Sequence, residues 1–313
     1  MGTAAPARAL AALALAGLAA PGAAHATFAG SNGGLAVVLG QVDRTGYTGR
    51  LDLRAPGGRL STLLVCNTGD NNPTGIDDPC AHDPAFSLDG ERIAFALGGR
   101  LAVANADGSA RIDLPALTEQ DQQPAWAPDG ERLVFTGGPP GRRALYVVNS
   151  DGSGLRRLTR GHAPSWSEGN RIAYVAGDRL RLIRPDGRGR QTLQRGRDPD
   201  WFPSAAGLAY SWRRRIYTLR VLGPRPRRPH LLVRRGHDPV FSPDGTRVAF
   251  VRPTGDAEGD IYTIGLYGRG LRRVYRARGP DYAFNFASDP AWRPGPPLAC
   301  APKVVFPAQN AHC

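Results

Sequence analysis

The chain is 313 residues long, and its 40 Lys and Arg against 27 Asp and Glu give a formal net charge of +13. After the N-terminal 26 residues no apolar run is long enough to span a bilayer, which predicts a soluble or peripherally bound mature protein with no transmembrane segment. The positive charge suits an anionic partner, but no nucleic-acid recognition module is found, so nucleic acid is not an expected partner.

The N-terminus has the pattern of a secretory signal peptide. Arg8 precedes the apolar run ALAALALAGLAA, and Ala24-His25-Ala26 then gives the small-x-small pattern of a cleavage site. We expect residues 1–26 to be removed by cleavage after Ala26. The mature protein is therefore predicted to be secreted or to reside in the cell envelope.

A short phrase, x-Pro-x-aromatic followed by Asp-Gly and an apolar run, recurs through the rest of the chain. DPVFSPDGTRVAF is a complete copy, and DPAWRP near the C-terminus is a truncated one. Successive anchor prolines lie 40, 40, 35, 40 and 51 residues apart, which is typical of a four-stranded propeller blade. The anchors are Pro84, Pro124, Pro164, Pro199, Pro239 and Pro290.

The second half of each repeat predicts further strands. Asp107-Gly108 and Asp151-Gly152 stand between short apolar runs, and Asp-Gly in that position is typical of a tight hairpin turn. Each repeat should therefore supply four short strands and almost no helix. Such a sheet has two apolar faces, and radial stacking of blades around an axis buries both.

The two ends of the repeat region complement each other. The last copy, from Asp289, supplies one opening strand, while residues 34–65 supply strands that no opening phrase precedes. We therefore expect an all-β, six-bladed β-propeller over residues 27–293, closed by a C-terminal strand that joins the N-terminal blade and leaves no free sheet edge. Residues 294–313 remain as a Pro-rich tail.

The phrases FSPDGTRVAF, AWAPDGERLVF and LYVVNSDGSGLRRLT resemble the repeats of TolB-like β-propellers, named for the periplasmic component of the Tol system. The resemblance spans roughly residues 27 to 293. It implies the propeller fold, but the repeat serves binding platforms, peptidase gates and a few lyases. One departure is that TolB itself carries an N-terminal α/β domain, for which this chain has no room.

Four cysteines suit an exported protein. Cys66 and Cys80 flank the polar loop NTGDNNPTGIDDP, and Cys300 and Cys313 bracket the C-terminal segment. Three pairings are possible. We favour disulfides between sequence neighbours, because each would hold a stretch outside the regular blades. A CxxC spacing is absent, which argues against a redox or zinc site.

Positive charge concentrates between Arg179 and Arg235, where sixteen Arg stand against three Asp. One interpretation is a solvated surface in a chain that prefers Arg, since Lys303 is its one lysine. The other is a dock for an anionic envelope polymer or lipid surface. The residues predicted for such a dock are Arg213, Arg214, Arg215, Arg225, Arg227 and Arg228.

The sequence contains little that predicts catalysis. The G-x-S-x-G nucleophile elbow, the P-loop and the dinucleotide fingerprint are all missing. We therefore expect no cofactor, and a noncatalytic protein rather than an enzyme. The Asp-Gly pairs at Asp89, Asp129 and Asp244 are interpreted as turns rather than calcium ligands, because they recur at one position in each blade.

Alignment of the repeats places three histidines at one position of alternate blades, two residues before the anchor proline. This position begins the innermost strand at one mouth of the central channel. His82, His162 and His237 could converge there on a metal, as in a catalytic zinc site, or each could bond a neighbouring carboxylate such as Asp83. In order around the ring the mouth residues are His82, Gln122, His162, Arg197, His237 and Ser288.

These features predict a monomeric, secreted binding platform that uses its channel mouth and the loops between blades. A protein or peptide is the expected partner, and an anionic envelope polymer is the second. No metal is favoured. The alternative is a metal-dependent polysaccharide lyase or hydrolase that uses the histidine ring, as oligogalacturonate-lyase-like propellers do.

Overall fold

The computed structural model describes residues 31–43, 46–68, 81–221, 228–254, 257–276 and 284–295. Within these ranges every regular element is a β-strand. In chain order the first twelve are β1 (Asn32–Asp43), β2 (Gly46–Arg54), β3 (Leu60–Thr68), β4 (His82–Phe86), β5 (Arg92–Leu97), β6 (Arg100–Asn105), β7 (Ile112–Asp113), β8 (Asp121–Trp126), β9 (Arg132–Gly137), β10 (Ala144–Asn149), β11 (Arg156–Arg160) and β12 (His162–Trp166). The others are β13 (Ile172–Ala176), β14 (Arg179–Ile183), β15 (Gln191–Arg195), β16 (Arg197–Trp201), β17 (Gly207–Trp212), β18 (Arg215–Arg220), β19 (His230–Val233), β20 (His237–Phe241), β21 (Arg247–Thr254), β22 (Ala257–Gly265), β23 (Arg272–Tyr275) and β24 (Phe284–Pro294).

The described strands form six antiparallel sheets of four, each a blade of the propeller. Blade 1 has the order β24-β1-β2-β3, and blades 2 to 6 are β4–β7, β8–β11, β12–β15, β16–β19 and β20–β23. The first strand of each blade lies innermost and contacts the first strand of the next blade around the whole ring, including β20 with β24 and β24 with β4. The predicted six-bladed propeller is confirmed.

Ring closure also follows the prediction. In blade 1 the innermost strand is the C-terminal β24, which pairs with β1 through Leu35 opposite Trp292 and Ala36 opposite Ala291. The joint between blade 6 and blade 1 is held by side chains as well. Asn32 Nδ2 donates to Asp244 Oδ2 over 2.9 Å. The C-terminal strand thus completes the four-stranded sheet of blade 1 and closes the ring between blades 6 and 2.

The aromatic residue of the repeated phrase is the core residue between blades. Trp126, Trp166 and Trp201 are 0% exposed, and Phe86 and Phe241 occupy the same position in their blades. The Trp126 indole Nε1 donates to the carbonyl oxygen of Ala85 in the preceding blade over 3.0 Å. An aromatic ring at this point therefore contributes both buried area and a hydrogen bond that joins neighbouring blades.

The Asp-Gly pairs of the repeated phrase form the turns that follow the innermost strands of blades 2, 3 and 6. The carboxylates of Asp89 and Asp244 accept the backbone N–H two residues further on, each over 3.0 Å. Gly90 has φ +72°, and its carbonyl oxygen accepts a hydrogen bond from Arg293 Nε over 2.7 Å. The turn thus fixes the spacing to the neighbouring blade, which is its structural role.

Several predictions from the sequence concern residues outside the described ranges. These are the signal peptide 1–26, the tail beyond residue 295, and Cys80, Cys300 and Cys313; Cys66 lies in β3, but its side chain is not among those described. The described residues contain no helix that is long and apolar enough to cross a membrane.

Candidate binding site at the channel mouth

The residues predicted for the mouth do share one structural position. His82, His162, Arg197 and His237 are the first residues of β4, β12, β16 and β20. Gln122 is the second residue of β8, and Ser288 lies inside β24. The end of the ring where the innermost strands begin is called the mouth face below.

A β-bulge follows the mouth residue in each innermost strand. In blade 2, for example, three steps from His82 to Ala85 match two steps from Ala96 to Ala94 on β5. The residue between the mouth residue and the anchor proline takes left-handed backbone, which is rare for a non-glycine residue. These residues and their φ angles are Asp83 (52°), Gln123 (56°), Ala163 (49°), Asp198 (50°) and Asp238 (48°).

The bulge turns the side chain of this residue toward the next blade. Asp83 Oδ2 accepts the backbone N–H of Gln123 over 3.1 Å, and Gln123 Oε1 accepts the backbone N–H of Ala163 over 3.0 Å. Thr136 Oγ1 donates to the same Gln123 oxygen over 2.8 Å. Buried side chains from one blade thus satisfy backbone amides of the next, which makes the mouth a rigid part of the ring.

Two of the three mouth histidines bond the carboxylate that follows them in sequence. His82 Nδ1 lies 3.0 Å from Asp83 Oδ2, and His237 Nδ1 lies 2.9 Å from Asp238 Oδ2. The ordinary alternative predicted from the sequence therefore applies to both. No group of three or more His, Cys, Asp or Glu side chains in the described part of the chain is placed to hold a metal ion, so the three histidines do not form such a group.

His162 differs from its two counterparts. The residue after it is Ala163, and its Nδ1 is buried without a hydrogen-bond partner. Burial is the main cause that lowers the pKa of His162 to about 4, and the charges of Arg143 and Arg197 lower it further. His162 is consequently a neutral imidazole at pH 7, set between two cations.

Arg143 is a member of this site that the repeat alignment did not predict. It ends the hairpin 138–143 between β9 and β10, at the mouth face, because Asp121 at the start of β8 pairs with Gly137. Its Nε is buried without a hydrogen-bond partner. Burial lowers the pKa of Arg143, and the charge of Asp83 opposes that effect.

Asp198 gives the mouth a second titratable group. Its side chain is buried, and Ser211 Oγ donates a hydrogen bond to its Oδ2. Burial, followed by the like charge of Asp238, raises the pKa of Asp198 to about 7, against the weaker effects of Ser211 and the nearby cations. This carboxyl group is therefore partly protonated near neutral pH.

The structure places the described arginines of the predicted dock at two opposite ends of blade 5. Arg197 pairs with Ser211, so the exposed turn residues Arg213 and Arg214 lie at the mouth face, and Arg215 begins β18 there. Arg228 is also exposed, but it lies beyond the opposite end of β18. The described members therefore do not form one patch. Arg225 and Arg227 lie outside the described residues.

Blade 5 nevertheless carries a concentration of positive charge at the mouth face. In addition to the arginines of the β17–β18 turn, Arg234 and Arg235 follow the end of β19, and all of them are exposed. Within the described residues none of them takes part in an ion pair. This group is called the cationic rim and consists of Arg197, Arg213, Arg214, Arg234 and Arg235.

No known family model matches the chain. Among solved structures, TolB from Acinetobacter baumannii is similar with a TM-score of 0.65 at 16% sequence identity, over 84% of this chain and 67% of that chain. The chain has a TolB-like β-propeller fold. The likeness shows the fold alone, because identity this low does not carry function.

Other similar structures differ in what they do. A chain of the nidogen/laminin complex has a TM-score of 0.59 at 10% identity, over 84% of this chain and 99% of that chain. Hydrazine synthase from Kuenenia stuttgartiensis has a TM-score of 0.63 at 13% identity, over 87% of this chain and 48% of that chain. A protein complex and an enzyme thus share the propeller, and function has to be argued from the site.

Proposed function

We propose that this TolB-like propeller is a noncatalytic binding platform, exported to the cell envelope, that holds a protein or peptide partner at its mouth face. The signal-peptide pattern before Ala26 supports export. The similarity to TolB and to a chain of a protein complex supports the role of a propeller as a platform.

The observation that carries the proposal is the combination of a rigid mouth with unpaired charge on its rim. The hydrogen bonds between blades at Asp83 and Gln123 fix the positions of the mouth residues. The cationic rim adds exposed guanidinium groups, none of which forms an ion pair within the described residues. Their positive charge favours an acidic surface or peptide, and the rigid mouth limits the backbone entropy that is lost when it binds.

The experiment compares two variants of equal charge on opposite ends of the ring. The mouth triple is Arg213→Gln, Arg214→Gln and Arg235→Gln. The control triple replaces Arg188, Arg190 and Arg269 by Gln; these arginines are exposed and lie in or next to the turns at the other end of the blades. Mature protein of each kind is immobilised, and binding of envelope proteins is quantified at 50 mM and 150 mM salt.

We expect the mouth triple to lose about tenfold in affinity at low salt, because exposed charge pairs contribute about 0.2–1 kcal/mol each. The control triple should retain the binding of the parent protein. Equal losses in the two triples would refute a partner at the mouth face. If the immobilised protein instead retains an acidic polymer and no protein, the result would support the second predicted partner, an anionic envelope polymer.

The enzyme alternative is tested on the same samples. A lyase would release unsaturated products from polygalacturonate when Mn²⁺ or Zn²⁺ is supplied, and their ultraviolet absorbance is measured directly. We expect no turnover and no stoichiometric metal by elemental analysis. Metal at one equivalent that is lost in His162→Ala, together with turnover, would replace the platform by the metal-dependent lyase.

A further inference from the structure

Blade 4 differs from blades 2 and 6 at the residue that follows the mouth histidine. In blades 2 and 6 the mouth histidine is followed by aspartate, whose carboxylate bonds the imidazole Nδ1 over 3.0 Å and 2.9 Å. In blade 4, Ala163 follows His162 with the same left-handed backbone, φ 49°. The backbone that presents a carboxylate to the histidine elsewhere is thus kept here, while the carboxylate itself is absent from the sequence.

Positive charge takes the place of that carboxylate. Arg143 lies in the blade 3 hairpin and Arg197 at the mouth position of blade 5, and both lie close enough for their charges to lower the pKa of His162. His162 Nδ1 and Arg143 Nε are both buried without a hydrogen-bond partner. Buried polar atoms are nearly always hydrogen-bonded in native proteins, so these two nitrogens are available to a ligand that offers an acceptor.

We propose that Arg143, His162 and Arg197 form a binding site for the C-terminal carboxylate of a peptide, which would bond His162 as Asp83 bonds His82. The inference rests on the proposed function, since it names the chemical group that the platform recognises. Guanidinium groups hold carboxylates through two parallel N–H···O bonds, and a protonated imidazole adds a third charge-assisted donor.

The local charge favours a monoanion over a phosphate. Arg143 faces Asp83, Arg197 acts on the raised-pKa carboxyl of Asp198, and His162 is neutral before a ligand binds. The remaining positive charge therefore matches one carboxylate better than a doubly charged group.

The burial of the site's residues favours a chain end over a polymer. Arg197 is exposed, whereas Arg143 and His162 are half-buried. A terminal carboxylate can approach half-buried groups end-on, while the acidic groups of a polysaccharide lie along its chain. The peptide C-terminus is accordingly the preferred source of the carboxylate.

Binding should be linked to proton uptake. A carboxylate beside His162 favours the imidazolium, so the ligand raises the pKa of His162 from its low value in the free protein, and affinity rises as pH falls. Asp198 also titrates near neutral pH and lies beside Arg197, so the measurement is repeated in Asp198→Asn. A pH dependence that persists in this variant belongs to His162.

The test uses mature protein and two pools of random heptapeptides, one with free C-termini and one amidated. We expect the free pool to bind about tenfold more tightly, with the preference increasing from pH 7.5 to pH 5.5. The His162 ring signal in NMR should shift on addition of N-acetylglycine and not of N-acetylglycinamide. The double variant Arg143→Gln, Arg197→Gln should lose both effects, and Arg195→Gln, an exposed arginine paired with Asp178 over 3.0 Å, should keep them.

Ala163→Asp supplies the carboxylate from within the chain. We expect it to raise the pKa of His162 and to abolish the preference for free C-termini. Because Ala163 is fully buried, the Arg143, Arg197 double variant keeps the proposal falsifiable if Ala163→Asp does not fold. Equal binding of free and amidated pools would overturn the carboxylate site but leave the platform. Competition by galacturonate without any peptide binding would overturn the peptide assignment, and a protein that binds neither pool nor any envelope protein would remove the platform as well.

Discussion

Asp198 predicts an unusual dependence of stability on pH. Burial and the neighbouring Asp238 raise its pKa to about 7 from the ordinary 3.8. The folded protein therefore binds more protons than the unfolded chain between pH 4 and 7, and the free energy of unfolding falls as pH rises through this window. Between pH 4.5 and pH 8 the loss is on the order of 3 kcal/mol, because the carboxyl group has to ionise while buried.

The variant Asp198→Asn removes this ionisation and keeps an oxygen that can accept the hydrogen bond from Ser211. Blade 3 provides a natural precedent, because Gln123 serves as the acceptor with a neutral amide at the same repeat position. We expect the variant to exceed the parent by on the order of 2–3 kcal/mol at pH 8 and to equal it near pH 4.5. Urea unfolding followed by tryptophan fluorescence at pH 4.5, 6 and 8 gives both values.

The matched control is Asp83→Asn at the same position of blade 2. Asp83 bonds His82 and the backbone of Gln123, so the loss of its charge should destabilise the protein by about 1–3 kcal/mol at pH 6. A variant Asp198→Asn that is less stable than the parent at pH 8, or whose stability depends on pH as steeply as that of the parent, would refute the assigned titration.

The remaining predictions concern closure, the core and the rim. Truncation before Ser288 removes most of the partner of β1 and should abolish cooperative unfolding, measured by urea titration. Trp126→Phe deletes the bond to Ala85 O and weakens the cation–π contact with Arg92, whose guanidinium carbon lies 4.7 Å from the ring centroid, and should cost about 1–3 kcal/mol. Binding by the mouth triple should depend on salt less steeply than binding by the parent, since fewer charges remain to be screened.

The sequence predicted the architecture because each repeat carries its own core signal. The aromatic after each anchor proline is the residue buried between blades, so its spacing counts the blades directly. Closure was predictable for a related reason, since the copy at Trp292 lacks later strands and residues 34–65 lack an opening strand.

The candidate site was less predictable from the sequence, because some of its residues have no counterpart at the same position of the other repeats. Arg143 lies in a hairpin that is longer in blade 3 than the turn 98–99 in blade 2, and a comparison of hairpin lengths would have been the one signal for it. The bulge at Asp83 runs against local preference, since a residue before proline normally adopts extended backbone. It is held by contacts between blades, which a single repeat does not reveal.

The fold also explains how blade 4 can do without an acidic residue at its mouth. In blades 2 and 3 the side chain of the bulge residue accepts a backbone amide of the next blade, and Ala163 has no side-chain acceptor. Ser165, two residues further on and fully buried, accepts the backbone N–H of Trp201 over 3.3 Å. Asp200, at the same repeat position of blade 5, accepts the backbone N–H of Phe241 over 2.8 Å.

In blades 4 and 5 the side chain that bonds the next blade thus lies two residues further along the innermost strand. Other blades have Ala85 or Val240 at this position. Because the hydrogen bonds of Ser165 and Asp200 join the blades there, the absence of a carboxylate at residue 163 leaves the fold intact. It changes only the charge at the mouth. Stability and ligand chemistry are therefore separated in blade 4. Substitutions at Ser165 should act on unfolding, and substitutions at Ala163 that fit the backbone should act on binding.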